Sequence, residues 1–310
     1  MRRVVLHVGP SKTASTTLQQ FLSLYRGEAK TFTYPEWGWT RPDNGHHNLA
    51  YELRNDARFN PSLGGLNALR KNLTQGDQVF LSSEDFPIHP RAIAPLVKLC
   101  EEFGYELEIL FFLRDPIARL NSMYTQQIKT FADTRRFVDF VQTAVNEDKL
   151  NIRDAVIKPL SALGVKLTFA PFIGSRMGEI FARVCHHYGF EADPTNFSHS
   201  NPAPTPEEVA LYRQIGHRME KSTVSHWEAC NRLTRKYGFD RKYFGFDAHL
   251  IEQTRKRLQS QYDDIKSIGL LFMADELAET FFTEKPKCAD IEDQEKFLEF
   301  KHDIISYMHL

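Results

Sequence analysis

The chain has 310 residues, 42% hydrophobic and 25% charged, with 39 Lys and Arg against 40 Asp and Glu and a formal net charge of −1. That length supports a sizeable core, and the charge balance argues against a general nucleic-acid binder, which carries a basic excess. No apolar run approaches the ~20 residues that span a bilayer. Val4, Val5 and Leu6 behind Arg2 and Arg3 are too few for a secretory leader, so a cytoplasmic protein is expected. Cys100, Cys185, Cys230 and Cys288 are scattered, without CxxC or Cys/His spacing. They fit a reduced protein with no zinc site.

In chain order, residues 4–8 read as a buried first strand. Leu18, Phe21, Leu22 and Tyr25 at i, i+3, i+4, i+7 then predict a helix. Residues 31–34 suit a short strand, and the Trp-, Gly-, Pro-, Asn- and His-rich stretch 36–48 reads as a long functional loop. A helix over 63–72 precedes a buried strand over 78–82, and another runs from Pro90 to a stop at Gly104. The strongest strand is 107–113, and Asp115-Pro116 opens a helix reaching Lys129. Beyond residue 130 helices dominate, with one more strand at 165–169 and a proline-rich break at 201–206. This alternation predicts an α/β core over about 1–175 around a mainly parallel sheet, with a helical C-terminal portion over about 176–310, all in one domain.

The segment from His7 to Thr17 joins the first strand to the first helix. A loop there presents unpaired N–H groups and the positive end of the helix dipole, which suits a phosphate. Lys12 adds a charge, while Thr13, Ser15, Thr16 and Thr17 add hydroxyl donors. It is not a Walker A loop, because Ser11 stands where a glycine must precede the lysine. The plainer reading is a Ser/Thr-rich helix cap. A second candidate follows the strongest strand, where Arg114 sits at its carboxyl end. Ile117, Leu120, Tyr124 and Ile128 form the apolar stripe of the next helix, leaving Arg119, Ser122 and Gln126 on another face. An arginine fork with a serine hydroxyl suits a terminal phosphate; alone, the segment reads more readily as a salt bridge beside a neutral serine, and its pairing with the first loop reverses that.

Together these segments resemble the PAPS-dependent sulfotransferase superfamily, especially its carbohydrate-type and bacterial branches. The first family motif, similar to HxGxxKTGTTxLQ, is matched by His7, Lys12, Thr13, Ala14, Ser15, Thr16, Leu18 and Gln19. The second, a strand and then RDPxxRxxSxY, is matched by Arg114, Asp115, Pro116, Arg119, Ser122 and Tyr124. Residues 79–84 are similar to the intervening strand with its acidic end, and anchored matches cover about a quarter of the chain. Ala14 replaces the family glycine and Ser15 its first threonine, and no Gly/Lys-rich third cofactor segment is found.

The resemblance implies a three-layer fold like that of P-loop NTPases. It also implies a PAPS (3′-phosphoadenosine-5′-phosphosulfate) donor, adenosine 3′,5′-bisphosphate as product, and no metal. Lys12 would neutralise the departing bridging oxygen, Thr13, Ala14, Ser15, Thr16 and Thr17 would hold the 5′ end, and Arg114 with Ser122 would fix the 3′-phosphate. His46, His47 and Glu84 compete as the base that takes the acceptor proton, since histidine and glutamate each serve in different branches. The acceptor is a hydroxyl or amine of a glycan or small metabolite. The aromatic stretch from Tyr34 to Trp39 could stack on it or simply pack the loop, and Arg255, Lys256 and Arg257 suit either an acidic acceptor or a solvated helix face. Two rival functions are a P-loop-like small-molecule kinase and a catalytically degenerate nucleotide-binding scaffold.

Overall fold

Uninterrupted apolar runs need cover on both faces, and three of them form the middle of a parallel sheet. The computed structural model describes residues 2–9, 13–24, 32–40, 44–73, 78–147, 151–196, 203–216, 224–268, 271–283 and 285–308. The chain runs through β1 (Arg3–His7), α1 (Ser15–Leu24), β2 (Phe32–Thr33), α2 (His47–Arg54), α3 (Leu66–Asn72), β3 (Gln78–Ser82) and α4 (Pro90–Glu102). Next come β4 (Glu106–Arg114), α5 (Pro116–Lys129), α6 (Phe137–Asn146), α7 (Lys158–Ser161), β5 (Lys166–Phe172) and α8 (Met177–His187). The last helices are α9 (Pro206–Ile215), α10 (Val224–Lys236), α11 (Ala248–Ile268), α12 (Ala274–Thr280) and α13 (Gln294–Met308).

The strands lie in the order β2-β3-β1-β4-β5, and every neighbouring pair is parallel. The expected α/β class with a parallel sheet is therefore present. Val5, at the centre, lies opposite Phe80 on one side and Glu108 on the other. Val5, Phe80, Leu110, Phe112 and Ala170 line one face and form a core with Leu18, Phe21 and Leu22 of α1 and Ile180, Phe181 and Val184 of α8. The alternate residues Val4, Leu6, Leu81, Ile109, Phe111 and Phe169 are buried as well, so both faces of the sheet are covered.

The chain divides into two compact units. The first comprises residues 1–115, 151–200 and 259–280, and it carries the whole sheet. The second comprises 116–150, 201–258 and 281–310 and is helical. In it Tyr124 packs edge-on against Phe137 at 5.0 Å, and Phe137 against Phe246 at 4.8 Å. The stripe read on α5 is buried at Ile117, Leu120, Tyr124 and Ile128.

Three boundaries differ from the sequence reading. A helix, α2, starts at His47 inside the stretch expected to be loop. The helix expected from residue 63 starts at Leu66, after a 3-10 turn at Pro61–Leu63. The last strand continues through Pro171 to Phe172, which an edge strand permits because a proline there need not donate a ladder bond. Tyr25, read as part of α1, and Asn201 and Pro202 of the proline-rich break lie outside the described residues. Among the described residues no helix is long and apolar enough to cross a membrane.

Candidate functional site

The residues singled out in the first unit gather at the carboxyl edge of β3, β1 and β4, three adjacent strands. Beyond β1, Val8 N–H donates to Leu110 O at 3.3 Å and Gly9 O accepts from Phe112 N–H at 3.2 Å. The chain thus leaves the sheet beside Phe112, two residues before Arg114. Lys12, with residues 10 and 11, lies outside the described residues. On the far side of the loop Thr13 is fully buried, and Ala14 adopts the left-handed conformation with φ 58°. A side chain is strained there, which is the physical reason a glycine suits this position. Ser15 then opens α1; its Oγ is buried and makes no hydrogen bond among the described residues. Thr17 is buried and Thr16 half-buried.

Arg114 ends β4, and its guanidinium lies 4.7 Å from the centre of the Phe172 ring, the residue paired with it on β5. That contact seats the guanidinium on the face of the ring. Ser122 is half-buried on α5, in the second unit, where its carbonyl accepts from Thr125 Oγ1 at 3.1 Å. Arg119, read as lying off the apolar stripe, is buried.

The three candidate bases stand differently. His46 has no exposed surface; its Nδ1 accepts from Ser82 N–H at 3.2 Å and its Nε2–H donates to Pro35 O at 3.0 Å. Tyr34 and Trp37 pack edge-on against the ring at 4.8 and 5.6 Å. Burial, partly opposed by those backbone bonds, lowers its pKa to about 3. With both nitrogens committed, His46 ties the loop to β3 and has no lone pair left for a substrate proton. The aromatic stretch packs the loop: Tyr34 is buried against Trp39 at 5.6 Å, and Trp37 Nε1 donates to Asn72 Oδ1.

His47, at the first turn of α2, is buried, with Nδ1 2.7 Å from Ser83 Oγ and 3.5 Å from Asp85 Oδ2. The bond to His47 leads the influences that hold the Asp85 carboxyl below its usual range. Glu84 lies two residues beyond the end of β3, is half-buried, and accepts from Gln19 Nε2 at 3.2 Å. Gln19 was read only as a motif match. It is fully buried one turn after Ser15 on α1, and its Oε1 has no partner among the described residues. The i, i+4 spacing of Ser15 and Gln19 was the available signal that both share one helix face. A methyl on Gly45 would stand 2.6 Å from His47 Nε2 and 2.8 Å from the Gln19 amide, so only glycine allows this approach.

His7, the first residue of the loop motif, completes the group. Its Nδ1 lies 2.8 Å from Ser82 Oγ, its Nε2 has no partner among the described residues, and burial lowers its pKa to about 3. It is a neutral imidazole at pH 7. Among the described residues no His, Cys, Asp and Glu cluster is arranged to hold a metal ion.

No protein-family model matches the chain, and no curated protein matches it. Among solved structures, a chain from the molecular and structural characterization of the PezAT chromosomal toxin-antitoxin system of Streptococcus pneumoniae aligns over 85% of this chain and 87% of its own. The identity is 10% and the TM-score 0.30, a likeness that carries no argument about fold or function.

Proposed function

We propose that the chain is a PAPS-dependent sulfotransferase on a P-loop-NTPase-like core, acting on a hydroxyl or amine of a glycan or small metabolite. One observation supports this best. The loop after β1, Arg114 at the end of β4 and Glu84 after β3 stand at the carboxyl ends of three neighbouring parallel strands. Ligands of open α/β sheets bind along that edge. The residues fit an anionic donor: Ala14 makes a left-handed turn into the start of α1, and the buried Ser15 hydroxyl beside it lacks a partner among the described residues. The free N–H groups and the dipole at the start of α1 favour an anion there.

PAPS, when bound, supplies an activated sulfuryl group. Thr13, Ser15, Thr16 and Thr17 hold its 5′ end, Lys12 neutralises charge on the leaving phosphate oxygen, and Arg114 binds the 3′-phosphate. The acceptor oxygen or nitrogen forms its bond to sulfur as the bond from sulfur to the bridging oxygen breaks in line. Its proton passes to Glu84, held in orientation by the Gln19 amide. His47 is the second candidate base.

Thermal stabilisation by adenosine 3′,5′-bisphosphate, compared with ATP plus magnesium, tests the donor. The bisphosphate is expected to give the larger shift, and preference for magnesium-ATP sinks the reading in favour of a kinase. Arg114→Ala is expected to weaken bisphosphate binding roughly 10- to 150-fold, the equivalent of about 1.5–3 kcal/mol for a hydrogen bond to a charged group. An unchanged dissociation constant removes Arg114 from the site. Bisphosphate binding with no transfer to a panel of acceptors leaves the degenerate scaffold.

A further inference from the structure

The second unit contains a cavity of about 380 Å³, between the start of α6, one side of α9, and the segments around Tyr243 and Lys287. Pro206, Val209 and Leu250 give it an apolar wall of buried side chains, and Tyr243 adds an aromatic one. Three cations, Arg136, Arg213 and Lys287, and two acids, Asp247 and Asp290, complete the lining.

The acids are not distributed evenly among the cations. Arg136 is clasped by Asp139, with Nε to Oδ2 at 3.0 Å, and Lys287 lies 3.9 Å from Asp290. Asp247 Oδ1 accepts from Leu250 N–H at 2.9 Å, capping the turn into α11. Arg213 is left. Its Nε donates to Thr134 O at 3.4 Å, and its guanidinium makes no ion pair among the described residues. The acids on its own side are already taken, Asp139 by Arg136 and Asp133 by a forked contact from Arg135 at 2.6–3.0 Å. A half-buried guanidinium beside an apolar, aromatic-walled space, with no carboxylate of the described residues at ion-pair distance, is an arrangement that can capture an anion carrying an apolar body.

We propose that this cavity is a binding site for a small organic anion: one carboxylate, sulfate or phosphate on a flat apolar body, gripped by Arg213 and walled by Val209, Leu250 and Tyr243. At about 30 Å³ per small non-hydrogen group, the space holds roughly a dozen such groups. The site lies wholly within the second unit, and the proposal stands independently of the nucleotide reading.

Calorimetric titration of the full chain with 2-naphthoate, and with 2-naphthol as its neutral counterpart, tests it. The naphthoate is expected to bind at least tenfold tighter than the naphthol. Arg213→Gln is expected to erase that difference by weakening the naphthoate alone, and Ala210→Trp, which fills the cavity from α9, to abolish both. Arg213→Lys keeps the charge but loses the planar fork; a severalfold loss is expected, and this variant carries the test if the glutamine variant does not fold. Absence of naphthoate binding to the unaltered chain overturns the proposal, as does naphthoate affinity that survives both Ala210→Trp and the substitution of Arg213.

Discussion

At the amino end of the sheet, Glu108 has no exposed surface. It accepts from Thr168 Oγ1 at 2.6 Å, Tyr188 OH at 2.9 Å, Lys166 Nζ at 3.0 Å and Arg3 Nη1 at 3.2 Å. At the carboxyl end the buried polar atoms are less complete: His7 Nε2, Ser15 Oγ, Gln19 Oε1 and Trp39 Nε1 lack partners among the described residues. The amino end has its own gaps, at Arg3 Nε and Gln78 Oε1, yet its one buried charge is fully met. A carboxylate without water must be compensated at every lone pair, and the first cluster does this with its own side chains. The second consists of neutral groups, and a buried neutral atom without a partner costs less than a buried charge without one.

Acid titration is the strongest way to break this comparison. His7 and His46 are held neutral, with folded pKa values lowered to about 3 by burial, against about 6.5 unfolded. Between those values the unfolded chain binds more protons, so stability falls as pH falls, by up to about 1.4 kcal/mol per pH unit for each histidine. Urea midpoints from pH 7 to pH 4 should show that slope, and His46→Gln should remove about one proton of it. A flat profile would mean that neither imidazole is sealed from solvent. Glu108 belongs to a lower window. Burial alone would raise its pKa, but the bonds from Thr168, Lys166 and Tyr188 outweigh burial and lower it. Its contribution is therefore present above the unfolded value and is lost as pH falls through the folded one.

Replacing the closed cluster's charge comes next. Glu108→Ala should cost about 3 kcal/mol in urea unfolding, since it strands Arg3, Lys166 and two buried hydroxyls. Ala14→Gly should stabilise by about 0.5–1 kcal/mol, because relief of left-handed strain exceeds the added freedom of the unfolded chain. Thermal melting reads this, and a loss would show that the strain is absent. Smallest is Gln19→Met at the open cluster. It should change stability by less than about 1 kcal/mol while lowering the rate of the proposed sulfuryl transfer, and equal stability losses from Gln19→Met and Glu108→Ala would erase the distinction between the two ends.

Much of this was legible in the sequence for a simple reason. β1, β3 and β4 are buried on both faces and so read as unbroken apolar runs. The start of α2 was hidden because His46 offers no capping side-chain bond and the residues before it are those of loops. The end of β5 was hidden by Pro171, whose tolerance depends on an edge position that no local window reveals. The site was legible where one segment carries it, as with the loop to α1 and the end of β4. It was obscure where distant segments meet: His46 is committed through Pro35, 11 residues away, and Ser82, 36 away. A histidine pair in a loop looks like chemistry until those partners are known.

The central place of β1 has a consequence for how the protein is made. Its partners, β3 and β4, begin 75 and 103 residues later, at Gln78 and Glu106 opposite Arg3. At about 5–20 residues per second, a ribosome takes roughly 5–20 s to deliver the second partner after the first strand has emerged. Until Gln78 and the rest of β3 emerge, Val4, Val5 and Leu6 have no neighbouring strand to join, and until β4 emerges they are paired on one side only. The strand around which the site is organised is therefore the segment of the nascent chain that waits longest to be paired, and slowing translation between residues 8 and 114 would lengthen its exposure to aggregation and to chaperones.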